Sequence, residues 1–458
     1  MSNFFRYYFL GIGGIGMSAL ARYFNAKGFQ VAGYDRTESL LTKSLQAEGI
    51  TITYDDCVDC IPENFKYKNS TMVIMTPAIP DDHPQLLYFR ENNFTIHKRA
   101  QVLGDITRQQ KGICIAGTHG KTTTSTITAH LLYQSHVSCS AFLGGIANNY
   151  QSNLLLSKES NLVVIEADEY DRSFHQLAPY MAVITSMDAD HLDIYKTAEA
   201  FYESFEHFAS LITPGGVLIV RKGIELNPKL QKGVKQYTYS MDEGGDFHAE
   251  DIRQEKDRIY FDFVAPTERI NDLYITVPVM INVENSIAAI ALAWLNGATK
   301  EEIRTGISSF SGIYRRFNII HKSERTVYVD DYAHHPNELK ASINSIRKLY
   351  PDKKITGIFQ PHLYTRTRDF ATEFAESLSL LDKLILLDIY PAREKPIRGV
   401  SSKLIFDNVN IEDKTLCSKE NLLSLLEQND AEVLVTFGAG DIDQLVPQIG
   451  KLLKSKCS

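Results

Sequence analysis

Short apolar runs alternate with amphipathic stretches along the whole chain. RYYFL is followed by Met17, Leu20, Ala21 and Phe24 at i, i+3, i+4 and i+7, and then by QVAGYD. That order predicts strand, helix and parallel strand. TMVIMTPAIP predicts a further buried strand. The pattern restarts near Lys111 with GICIAG, the segment GTHGKTTT and a helix through Leu132. Between Asn161 and Pro214, LVVIEADEYD and MAVITSMDADHLD are apolar runs that each end in an acidic cluster. Strand ends are where open α/β sheets bind ligands. From Arg315 onward TVYVDDYAHHP resumes the alternation, with Pro336 suited to a first helical position and Leu339, Ile343, Ile346 and Leu349 on one stripe. ITGIFQPH, KLILLDIYP and EVLVTFGAG add strands, and Ile442, Leu445, Val446, Ile449 and Leu452 mark a closing helix. The fold class is therefore α/β.

At 458 residues the chain is too long for one core, and about three domains are expected. Restarts in the pattern put their limits at 1–108, 109–313 and 314–458. The longest apolar stretch, Ser286 to Leu295, falls short of the roughly 20 residues of a membrane span. The start MSNFFRYYFLGIGG lacks the order of a signal peptide, so a cytoplasmic protein is expected. A net charge of -8 argues against a nucleic-acid partner. Six scattered cysteines suggest reduced thiols, and Cys57 and Cys60 form a C-x-x-C without the second pair a structural zinc needs. Oligomeric state is not legible.

Two phosphate-binding signatures compete. Gly11, Gly13 and Gly16 lie between a strand and a helix, and Asp35 ends the next strand, which satisfies the dinucleotide fingerprint. Alone it would indicate an NAD-dependent dehydrogenase; a tight turn needing glycine only for packing would look similar. Gly117, Thr118, His119, Gly120, Lys121, Thr122 and Thr123 form the second signature, also between strand and helix. There backbone N–H groups would cradle phosphates, Lys121 would reach the β/γ-phosphates and Thr122 would meet Mg²⁺. The strict pattern wants glycine where Ile115 stands. Glu166 and His191 are donors suited to metal on a triphosphate. Together the signatures call for two nucleotides.

GIGGIGMSALA, GTHGKTTT, EADEYDRSF, DADHLD, YRRF, DDYAHHPNE, QPHLYTRTRD and GAGDID, in this order over the full length, resemble the Mur ligases. The resemblance implies a Rossmann-like N-terminal domain for a UDP sugar, a central P-loop ATPase domain and a Rossmann-like C-terminal domain. It implies an ADP-forming ligase of peptidoglycan precursor synthesis that joins L-alanine to the lactyl carboxylate of UDP-N-acetylmuramate through an acyl phosphate, using ATP and a pair of Mg²⁺ ions. Gly13, Gly14, Ile15 and Asp35 would serve the UDP sugar. The loop from Gly117 to Thr123 would hold ATP, with Arg316 on its phosphates, Asn282 and Asn285 reading adenine and Tyr332 beside the base. Lys121, Glu166, His191 and Arg316 would carry the chemistry, and Thr122, Glu166 and His191 the metal. His334 and Arg366 would lie near the amino acid. Ile281 and Leu363 depart from the family's usual histidine and arginine, and no clear counterpart of the carbamoylated metal-bridging lysine stands shortly after His191; Glu206 lies in that region. A tripeptide-recycling ligase of the same family would differ in the third domain, where DDYAHHP and YTRTRD favour alanine addition.

Overall fold

The protein is described from a computed structural model covering residues 4–188, 192–255, 258–392 and 394–457. The first compact unit comprises Met1–Arg253, Tyr260–Tyr274 and Val283–Phe310; the second comprises Gln254–Ile259, Ile275–Asn282 and Ser311–Ser458.

In the first unit, RYYFL forms the strand Arg6–Leu10 at the centre of a parallel sheet ordered Thr51–Thr53, Gln30–Tyr34, Arg6–Leu10, Thr71–Met75, Thr95–Lys98. The predicted stripe lies on helix Ile15–Ala26, where Met17, Leu20, Ala21 and Phe24 are buried. A larger sheet has Lys111–Ala116 between Pro179–Ile184 and Leu162–Glu166, all parallel, so their C-terminal ends share one edge. Ile184 is in register with Ala116, and Ile115 with Glu166. This register explains the departure at position 115: the residue is fully buried strand, where a glycine would remove core volume.

A polar junction ties the small sheet's helix to the strand Ser152–Leu155. Fully buried Asn153 donates to Ile15 O at 2.6 Å and Ser18 Oγ at 2.8 Å, and accepts from Arg22 Nη1 at 2.5 Å. Arg22 also forks onto Glu48 at 2.7 Å.

The second unit holds a sheet ordered Asn318–Lys322, Val327–Asp331, Val433–Phe437, Ile355–Phe359, Lys383–Leu386, Lys414–Leu416, parallel except at its first pair. Helix Pro336–Leu349 begins at its proline and buries Leu339, Ile343 and Ile346, as the stripe predicts. Cys57 and Cys60 correct the expectation of reduced thiols: they are joined in a disulfide, because a short 3-10 turn brings their Cα atoms to 5.4 Å. Among the described residues no helix is long and apolar enough to cross a membrane.

Asn153 satisfies several groups that would otherwise be buried without partners. Replacing it by alanine should cost about 2 kcal/mol or more. The check is a urea midpoint; an unchanged midpoint at constant slope would show that the junction carries no stability.

Candidate functional site

Lys111–Ala116 ends in a loop that only glycine can form at two points. Gly117 has φ 138°, and a Cβ there would meet Thr185 Oγ1 at 2.1 Å; Gly120 has φ 83°, and a Cβ would meet Asn285 Oδ1 at 2.7 Å. The neighbouring strand end closes on the loop. His119 N donates to Ser186 Oγ at 2.8 Å, Thr118 Oγ1 to Asp188 O at 2.8 Å, and Thr185 Oγ1 to His119 O at 2.5 Å. Helix Lys121–Gln134 starts directly after Gly120, with Thr122 buried in its first turn. No side chain caps its N-terminus, which leaves first-turn N–H groups suited to an anion. Asn285, buried on helix Met280–Leu295, accepts from Thr124 Oγ1 at 3.2 Å, and Asn282 stands in that helix's first turn.

Lys121 Nζ folds back to Gly117 O at 2.6 Å and pairs with both oxygens of Glu169 at 2.8 Å. The pair is nearly dry, with the Glu169 side chain 3% exposed. Burial pushes Glu169 up to about 7 against the pull of Lys121. Burial is also the largest influence on Lys121 and lowers it, but Glu169, Glu166 and Asp168 together hold the ammonium above its ordinary value. Glu166 lies across Gly144, and its Oε2 is buried without a hydrogen-bond partner. An orphaned, dry carboxylate oxygen beside a phosphate-type loop fits a hard divalent cation. His191 lies outside the described residues. Among those described, no cluster of three or more His, Cys, Asp and Glu side chains could hold a metal by itself.

The acidic segment after Glu166 is pinned by cations of the helix Arg99–Gln109 and its cap. Arg99 Nη2 donates to Asp168 Oδ2 at 2.7 Å and Lys98 pairs with Asp171 at 2.8 Å. Asp171 and Arg172 both sit in the left-handed region, φ 52°. For side chains other than glycine this costs about 1 kcal/mol or more each. Arg99 also packs where the N-terminal loop enters helix Ile15–Ala26, since a Cβ on Gly16 would fall 2.2 Å from its Nη1. In that loop Gly13 N donates to Asp35 Oδ2 at 2.8 Å, while Gly14 begins helix Ile15–Ala26 without a side-chain cap.

In the second unit, Arg315 and Arg316 divide their tasks. Arg315 is buried, donates to Gly438 O at 2.5 Å and Gly440 O at 3.3 Å, and faces Asp330 at 3.4 Å. Arg316 is half-buried with its guanidinium 5.1 Å from the Tyr332 ring. His334 Nδ1 lies 2.9 Å from Tyr332 O, and His334 N donates to Glu338 at 3.0 Å. Burial lowers the His334 imidazole despite Glu338, and Arg366, on helix Tyr364–Asp369, contributes to the same direction. The His362 ring stands 6.1 Å from that of His334.

Matches to known proteins extend over these regions. A model described as Mur ligase family, catalytic domain, covers residues 6–111; Mur ligase middle domain covers 115–293; Mur ligase, glutamate ligase domain, covers 315–440. The UDP-N-acetylmuramate--L-alanine ligase of Phocaeicola vulgatus is 60% identical over 98% of both chains. The chain belongs to the Mur ligase family. A Porphyromonas gingivalis ligase of the same name is 55% identical over 99% of this chain and all of its own. The solved UDP-N-acetylmuramate-alanine ligase MurC of Thermotoga maritima superposes with a TM-score of 0.84 at 26% identity, covering 98% of this chain and 99% of that one. A murein peptide ligase from Psychrobacter arcticus shares the fold at a TM-score of 0.69 and 20% identity.

As a Mur ligase, the chain is not the nicotinamide dehydrogenase that its glycine fingerprint alone suggests. In the first unit the structure brings Lys121, Thr122 and Glu166 to one sheet edge, and in the second it gathers Arg316, Tyr332, His334 and Arg366. Sequence reasoning missed Glu169 as the partner of Lys121, although EADEYD contains it. It also missed the Asp168–Arg99 and Asp171–Lys98 pairs, which no spacing rule reveals.

A carboxyl whose folded pKa lies above its unfolded value stabilises the fold most fully below the unfolded value, and that contribution is lost as pH rises through the folded one. The stability of the wild type relative to Glu169→Gln should therefore fall between about pH 4.5 and about 7. Urea midpoints across that range check this, and a difference that is flat or rises with pH contradicts a buried, proton-retaining Glu169.

Proposed function

We propose that this Mur ligase joins L-alanine to the lactyl carboxylate of UDP-N-acetylmuramate, converting ATP to ADP and phosphate. The observation that carries the choice of substrates is the full-length identity, 60% in the first instance, to ligases bearing that name. The murein peptide ligase of Psychrobacter arcticus, by contrast, is only 20% identical to this chain.

The loop from Gly117 to Thr123 supports ATP as the phosphoryl donor. Its N–H groups and Lys121 offer positive charge to the phosphates, and Lys121 must release Glu169 to do so. On this reading Arg316 adds charge at the phosphates, Asn282 and Asn285 read adenine, and Tyr332 flanks the base. Glu166 with Thr122 would hold one Mg²⁺ and His191 a second, supplying charge neutralisation to the transferring phosphoryl. Gly13, Gly14, Ile15 and Asp35 would take the UDP part. Here the uncapped helix start is the supporting feature, because Asp35 already accepts from Gly13.

Two charged reactants have to meet, and an unactivated carboxylate resists an amine because oxide is a poor leaving group. Attack of the carboxylate oxygen on the γ-phosphorus gives an acyl phosphate and ADP. The alanine amine then attacks the acyl carbon, phosphate leaves, and the amine loses a proton. Arg366 would pair the alanine carboxylate, with His334 alongside it, kept neutral by burial.

Phosphate release should require UDP-N-acetylmuramate, ATP, Mg²⁺ and L-alanine together; release driven equally by an unrelated amino acid would defeat the assignment. Lys121→Ala should lose about 10³-fold or more in turnover with the fold retained. A variant within tenfold of the wild type would remove Lys121 from the phosphoryl site. Arg366→Ala should raise the KM for alanine far more than that for ATP. Equal rises for both would move Arg366 out of the amino-acid pocket.

A further inference from the structure

Three cations of the first unit each face one carboxylate of the acidic segment: Arg99 on Asp168, Lys121 on Glu169 and Lys98 on Asp171. Arg172 comes next and breaks the pattern. It is exposed, and among the described residues no carboxylate pairs with it. Its guanidinium carbon lies 5.3 Å from the centre of the Tyr195 ring. Tyr195 is itself 2% exposed, and its hydroxyl donates to Glu169 O at 2.5 Å. One aromatic ring thus separates Arg172 from the backbone of the residue that pairs with Lys121.

The backbone carrying this side chain is strained and held. Asp171 and Arg172 are both left-handed, Arg172 N donates to Glu169 O at 3.0 Å, and Phe174 N returns to Asp168 O at 2.9 Å. Both anchors are backbone bonds, so they fix the point at which the Arg172 side chain leaves the chain. Strain of this kind persists where the surrounding structure imposes it, and it concentrates at ligand sites.

Resting on the reading above, we propose that Arg172 binds the lactyl carboxylate of UDP-N-acetylmuramate and positions it for attack. Lys121 sits among Glu166, Asp168 and Glu169, so a carboxylate brought to it needs a cation that these acids do not already engage. Lys98, Arg99 and Lys121 are already engaged by the acidic segment, whereas the Arg172 fork is available to a bidentate partner. The diphosphate has a separate recognition element in the glycine loop and its uncapped helix, so Arg172 discriminates the acid and not the nucleotide.

The test compares calorimetric binding of UDP-N-acetylmuramate and UDP-N-acetylglucosamine, which shares the nucleotide and diphosphate but lacks the lactyl acid. Arg172→Ala should weaken the first ligand roughly tenfold or more and leave the second unchanged, with Arg172→Lys intermediate. Arg172→Gly should weaken the acid equally while its melting temperature stays level or rises, because glycine accepts the left-handed backbone. Equal weakening of both ligands would assign Arg172 to the diphosphate and overturn the proposal. Unchanged binding of both, or weakening that tracks a lower melting temperature, would overturn it too. A wild type that does not prefer the muramate over the glucosamine would bring down the functional reading and the Arg172 assignment together; loss of preference confined to the variants upholds both.

Discussion

A lysine ammonium drawn almost out of water has to be matched by charge, and the surroundings of Lys121 follow from that need. The carboxylate that matches it, Glu169, is itself so buried that its proton affinity rises to about 7. Holding that carboxylate in place falls to Tyr195 and to a strained turn anchored from the helix Arg99–Gln109. The pair is a compromise between desolvation and attraction, and replacing one partner leaves the other stranded. An anionic phosphate offers Lys121 an alternative partner, so the arrangement stores a charge ready for exchange.

Much of this frame was legible in the chain because parallel strands buried on both faces read as continuous apolar runs. GICIA and LVVIE became neighbouring strands, and their C-terminal ends placed the GKT loop beside Glu166. Helix stripes such as Leu339, Ile343 and Ile346 mapped directly to buried faces. What stayed hidden depends on contacts distant in sequence. Asn153 meets Ile15 and Arg22, and Arg99 meets Asp168, through packing that no local period encodes. The disulfide between Cys57 and Cys60 was misjudged because spacing alone does not report whether a turn brings the two sulfurs together.

The N-terminal loop shows why a motif is weaker than its context. Its glycines and Asp35 satisfy the dinucleotide rule, yet the Asp35 carboxylate accepts from Gly13 and Thr37 backbone N–H groups and stabilises the loop itself. The acid that the rule reads as a ribose acceptor also braces the turn that carries it. Only the second phosphate loop and the order of motifs along the chain separate the two meanings.

The junction at Asn153 bears on how this protein could be divided. A fragment beginning at residue 109 would keep the whole GKT loop but lose Ser18, Arg22, Lys98 and Arg99. Asn153 would then face solvent in place of three polar partners, and Asp168 and Asp171 would repel one another next to a turn already under strain. The GKT loop is therefore not a portable cassette: its acidic flank is neutralised by Lys98 and Arg99, which such a fragment leaves behind.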